Sequence, residues 1–194
     1  MSGYVIAVNG LSDLKDIENL DEQIAKAARD AVNKTVDRAR SSADREIRRQ
    51  VNLKASYVKD KLRVTKRASG RDLSAIITGQ QQPISLARFA KSRNVQSSLK
   101  AGGVSVAVEP GSSKFFKGAF LMNLKNNNLG LAIRLKEGET IKNKKYVKKV
   151  GKGLYLLYGP SVEQIFRTVG EEQTAPQAAD YLEQEFLRLM ALRR

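Results

Sequence analysis

Between Leu11 and Ser69 the chain contains neither glycine nor proline. Nothing in that run interrupts a helix, and apolar or small residues recur in steps of three and four. They are Leu14, Ile17, Leu20, Ile24, Ala28, Ala31, Thr35, Ala39, Ala43 and Ile47. The spacing predicts a helix that begins behind a Ser12 or Asp13 cap and reads to about Gln50. That is close to 38 residues, roughly 57 Å at 1.5 Å per residue, too long to bury end to end in a small domain. Leu and Ile fill the stripe up to Ile24; Ala, Thr and Val take over through Ala43. Small side chains permit close helix–helix approach, and two roles stay open. The helix packs on its own domain's sheet, or it is an arm whose Ile24, Ala28, Ala31, Thr35, Ala39 and Ala43 meet neighbouring subunits.

The rest of the chain predicts an α+β fold: the long N-terminal helix, an antiparallel sheet core of about four or five strands, and C-terminal helices. Tyr4–Val8 is a short β-type run closed by Asn9-Gly10. Asn52 caps a short helix over Lys54–Leu62, and Arg63–Lys66 turns extended. Strands are predicted at Leu73–Thr78, Val104–Val108, Gly118–Leu124, Leu129–Leu135 and Leu154–Tyr158, with Asn126–Asn128 as a hairpin connection. Gln80–Gly103 and Lys136–Gly153 read as long loops, a kind of segment that tends to be functional or to order on assembly. Gly159-Pro160-Ser161 leads into a helix at Val162–Val169, and a last helix runs from Pro176 to about Leu192 behind a Thr174 cap. The segments group as an N-terminal strand and helical arm (1–52), a basic β-rich body (53–158) and a helical C-terminal element (159–194).

Charge follows the same segments. Residues 1–50 carry nine basic and nine acidic side chains; residues 51–152 carry 22 against 5, a local net charge of +17. A body that positive repels itself when compact, and a polyanion or an acidic partner relieves the repulsion. Lys142, Lys144, Lys145, Lys148, Lys149 and Lys152 form one cluster, and Arg63, Lys66, Arg67 and Arg71 a second. A third consists of Arg88, Lys91, Arg93 and Lys100. Loops of this kind attract phosphate without reading bases. Phe115 and Phe116, between Lys114 and Lys117, fit a strand-edge core pair better than base-stacking residues.

Catalytic machinery is hard to build from this composition. There is no His and no Cys, which removes the commonest general base, the commonest metal ligand and every disulfide. No phosphate-binding glycine motif is present, and only Asp60, Asp72, Glu109, Glu137 and Glu139 are acidic between residues 51 and 152. The reading is a non-enzyme without cofactor or metal. No apolar run approaches the roughly 20 residues that span a bilayer, and the first residues lack a signal-peptide pattern. The chain reads as soluble, made in the cytoplasm, with no membrane partner. Its 41% hydrophobic and 6% aromatic content implies a modest core, with some burial deferred to an oligomer interface.

The order of segments resembles the minor tail protein Z, or tail-completion, family of long-tailed phages and prophages. The resemblance runs from Gly10-Leu11 through the Ala-rich Lys26–Thr35 stretch, Arg45–Ile47, Leu53–Leu62 and Ser85–Phe89. It continues through Val104–Gly111, Lys117–Phe120 and Tyr158–Phe166. No family motif matches Lys142–Lys152, and no catalytic residue carries over. The resemblance implies a virion component that completes the head-proximal end of the tail, at the neck, where tail meets connector and the genome's leading end. In a roughly sixfold tail such a protein closes into a ring, a hexamer, touching tail terminator, tail tube or connector proteins and the genome end. A non-specific DNA-binding protein acting outside the virion is the competing reading.

Overall fold

The structure, a computed structural model, describes residues 22–70, 72–136, 138–141 and 146–192. The N-terminal strand at Tyr4–Val8 and the Ser12/Asp13 cap therefore lie outside the described residues. Contacts divide the chain into two compact units, a different grouping from the three linear segments. The first unit takes the chain up to Arg48, Lys54–Gln81 and everything from Val162 on; the second takes Arg49–Leu53 and Gln82–Ser161.

The helix α1 (Glu22–Gln50), in the first unit up to Arg48, ends where the stripe predicted. Two residues per turn are buried from Ala27 to Val36, and then only Ala39, Ala43 and Ile47, one per turn. After α2 (Ala55–Lys61) the chain forms β1 (Leu62–Lys66), which pairs antiparallel with β2 (Ile76–Gly79). The link between these strands is strapped to α1. The Asn33 amide donates to the Ala68 carbonyl at 3.1 Å and accepts from the Ala68 N–H at 3.0 Å, replacing a backbone partner. Gly79 lies so close to α4 (Val162–Val169) that a Cβ there would sit 2.7 Å from Glu163 Cα. The Glu163 N–H donates to the Gln80 carbonyl at 3.1 Å beside it.

The predicted Thr174 cap does not form. The chain stays helical from α4 through a π turn (Gly170–Thr174) into α5 (Ala175–Ala191), the Ala175 N–H donating to the Gly170 carbonyl. Thr174 itself has helical backbone angles and makes no capping bond. Gly170 and the Pro at the start of α5 are absorbed because a π turn widens the helix instead of ending it.

In the second unit one antiparallel sheet has the order β3 (Pro83–Ser85), β9 (Leu154–Ser161), β7 (Leu129–Arg134), β6 (Ala119–Asn123), with β8 (Val147–Gly151) also paired to β9. A separate pair joins β4 (Gly103–Val106) to β5 (Lys114–Lys117). The Asn-rich turn joins β6 to β7 as predicted, with Asn127 at φ +58, a left-handed position that Asn tolerates. Leu121, Leu131 and Ala132 fill the centre of the sheet, together with Leu156 and Ile84.

Apart from the lysine segment, three expectations for this unit are adjusted by the structure. The segment Gln80–Gly103, read as a loop, folds into β3, a 3-10 turn (Leu86–Phe89) and α3 (Val95–Lys100). Its helix is capped by Asn94, whose Oδ1 accepts from the Ser97 N–H at 2.9 Å. The strand expected to end at Tyr158 runs on through Gly159–Ser161, which leads into α4 as expected. Phe115 is not a core residue; it lies 54% exposed on β5, its ring against the Gly103 backbone.

Candidate functional site

Grouping the sequence by unit sharpens the charge asymmetry. The first unit holds 19 basic and 17 acidic side chains, and the second holds 16 basic against 3 acidic. The uncompensated positive charge of the chain therefore lies in the second unit.

In the first unit the predicted contacts Arg63, Lys66 and Arg67 each already hold a carboxylate. Arg63 pairs with Asp60, which also accepts from Lys61 at 2.8 Å. Lys61 first, and Arg63 with it, hold the Asp60 carboxyl below the usual range. Lys66 donates to Asp72 and to Ser74 Oγ; the Lys66 bond first, then the bonds that Ser74 gives Asp72 from its side chain and its N–H, press the Asp72 carboxyl far down. Arg67 grips both Asp37 oxygens, at 3.0 and 2.7 Å, and the same bonds push its own pKa up. A phosphate would have to break these pairs before using the cations. Arg71 lies outside the described residues.

The lysine cluster is placed differently. Lys142, Lys144 and Lys145 fall outside the described residues, but Lys148, Lys149 and Lys152 do not. The segment expected to be a loop forms an edge strand here, β8, with Lys148 opposite Leu156 and Lys149 opposite Tyr155. A bulge at Val150 and the two-residue turn Lys152-Gly153 close the hairpin to β9. Gly153 has φ +65, and a Cβ on it would come 2.7 Å from the Leu135 carbonyl oxygen. The Leu135 N–H donates to the Gly153 carbonyl at 2.8 Å, which fixes the turn against the end of β7. Lys148, Lys149 and Lys152 are exposed. Among the described residues none of them has an ion pair or a side-chain hydrogen bond. Alternation sends Lys148 and Lys149 to opposite faces, so the rim offers charge on both sides. A lysine-bearing edge also resists accidental strand pairing.

The residues offered for a subunit interface are occupied by the chain itself. Ala28, Ala31, Thr35 and Ala43 are fully buried and Ala39 is 4% exposed; only Ile24 is half-buried. Part of the cover comes from α5, which runs antiparallel to α1: Ser42 meets Gln177, Arg38 meets Tyr181 and Lys34 meets Glu185. Any contact that α1 makes with another subunit has to use Ile24 or positions off this stripe. Sequence reasoning missed the neutralising acids. Asp60 was legible, three residues from Arg63, whereas Asp37 lies 30 residues from Arg67.

Among the described residues no helix is long and apolar enough to cross a membrane. The family model for prophage minor tail protein Z (GPZ) matches residues 7–192. The chain belongs to that family. As a minor tail protein Z it is a structural protein of the phage tail, a component of the virion that works against other tail or virion proteins. No curated protein and no solved structure matches it.

Proposed function

We propose that this minor tail protein completes the head-proximal end of the tail as a closed ring at the tail–connector junction, with the second unit's free lysines meeting the genome's leading end. The observation that carries the reading is the division of charge, 16 basic against 3 acidic side chains in one unit and near balance in the other. A balanced unit suits contact with neighbouring proteins, and an uncompensated one suits phosphate. Since the small-residue stripe is filled internally, ring contacts fall to surfaces that leave apolar side chains exposed, such as Leu187 on α5 and Phe115 on β5. The role is structural, without catalysis; a chain with neither His nor Cys supports that.

Three measurements test the reading. Mass photometry of the purified chain, and image reconstruction of the particle's neck, look for a ring of copies between tail and connector; copies that never lie side by side would sink the proposal. For the DNA contact, the salt dependence of binding to linear duplex is compared across variants. Replacing Lys148, Lys149 and Lys152 by Gln lowers the slope of log affinity against log salt by about 1 per lysine. The triple Gln variant at Arg63, Lys66 and Arg67 leaves the slope nearly unchanged. The opposite ranking would move the contact to the first unit. Tight, steeply salt-dependent duplex binding by a chain that forms no ring would favour DNA binding outside the virion.

A further inference from the structure

Beneath the rungs that α1 and α5 share lies a cleft of about 270 Å³. Thr35 and Thr174 line it from opposite helices, 0% and 1% exposed, and among the described residues neither hydroxyl has a hydrogen-bond partner. A threonine inside a helix usually settles its hydroxyl on a carbonyl one turn earlier. These two do not, and Thr174 belongs to the π turn, a distortion frequent at functional sites. Two orphaned hydroxyls in one cleft call for a polar occupant.

The lining says which kind. Arg38 and Arg45 stand at the cleft, and among the described residues neither pairs with a carboxylate. The Arg38 guanidinium lies 4.1 Å from the Tyr181 ring centroid, a stacking that holds the group in place while its N–H edge stays free to donate. Ser42 Oγ donates to Gln177 Oε1 at 3.2 Å, which leaves the Gln177 amino group as a further donor. Asp180, exposed on the lining, is one negative charge against two positive.

We propose that the cleft binds a small oxyanion, whose oxygens take the Thr35 and Thr174 hydroxyls and the Arg38 and Arg45 guanidinium groups. Its source is a free phosphate ion or the carboxylate of an Asp or Glu side chain on a neighbouring tail protein. A backbone phosphate of duplex DNA does not fit, because helices packed roughly 8–10 Å apart admit no duplex to the floor between them. The site is independent of the lysine edge and of ring formation.

Thermal unfolding of the full chain tests it, in sodium chloride against inorganic phosphate and acetate at equal ionic strength. The expected result is a saturable rise in Tm, several degrees at about a hundredfold excess over Kd. Phosphate acting alone identifies a free ion; acetate acting as well identifies a carboxylate. Thr35→Val, which keeps the side-chain shape, and Arg38→Met each raise the half-saturating concentration tenfold or more. The Lys148, Lys149 and Lys152 Gln variant responds like the parent. The proposal is overturned if neither anion raises Tm beyond chloride. It is equally overturned if Thr35→Val and Arg38→Met respond as the parent does, or if the lysine variant abolishes the effect.

Discussion

Gly153→Ala tests whether one turn places the lysine edge. The perturbation has two separable parts. A side chain at φ +65 enters the left-handed region, which costs a residue other than glycine about 1–2 kcal/mol. The new Cβ also meets the Leu135 carbonyl oxygen at 2.7 Å, a backbone atom that cannot swing aside. Separating the two strands there strains or breaks the Leu135–Gly153 hydrogen bond, worth about 1 kcal/mol. The total is about 2–3 kcal/mol. Gly111→Ala supplies the control, since Gly111 has φ +79 with nothing within 4 Å of the added carbon, so it pays only the backbone part. Urea unfolding gives both stabilities, and hydrogen exchange at residues 147–157 shows whether β8 leaves β9. Equal destabilisation by the two variants, with β8 amides still protected in Gly153→Ala, would refute the argument.

Thr35→Val in chloride buffer removes a buried hydroxyl without a partner and raises stability by about 1 kcal/mol; a loss would reveal a partner for that oxygen. Gly79→Ala forces a carbon to 2.7 Å from Glu163 Cα and costs about 1–3 kcal/mol, so an unchanged urea midpoint would mean that β2 and α4 do not touch. Glu185 accepts from Arg188 and Lys34, which hold its carboxyl down to about 2 from 4.5, so the unfolded chain takes up its proton first. Its contribution, on the order of 1 kcal/mol because both cations are half exposed, is whole above pH 4.5 and disappears as pH falls toward 2. Glu185→Gln flattens acid unfolding over that window; an unaltered slope would show the carboxylate to be idle.

Legibility in the sequence tracked the range of the interaction that fixes each element. α1 ended at Gln50 as its spacing indicated, and β6, β7 and their Asn turn followed from alternation between core and solvent. β8 was invisible because its residues bury almost nothing; the backbone ladder to β9 makes the strand, and lysines carry no period in hydrophobicity. The π turn escaped because Thr, Pro and a nearby Gly are the usual signs of a helix boundary, and packing overrode them. The stripe on α1 allowed two partners, and the choice depended on α5, which lies 135 to 151 residues further along the chain. For the same reason the basic cluster at Arg63–Arg67 looked available, when Asp37 on α1 had already taken Arg67.

That separation between α1 and α5 also governs biogenesis. A nascent chain carries bare the part of its alanine seam that α5 covers while some 130 further residues leave the ribosome, because that helix follows so much later in the chain. Contacts closed over such distances form slowly. Until then that part of the seam is adhesive, and a chain cut before Ala175 keeps it so.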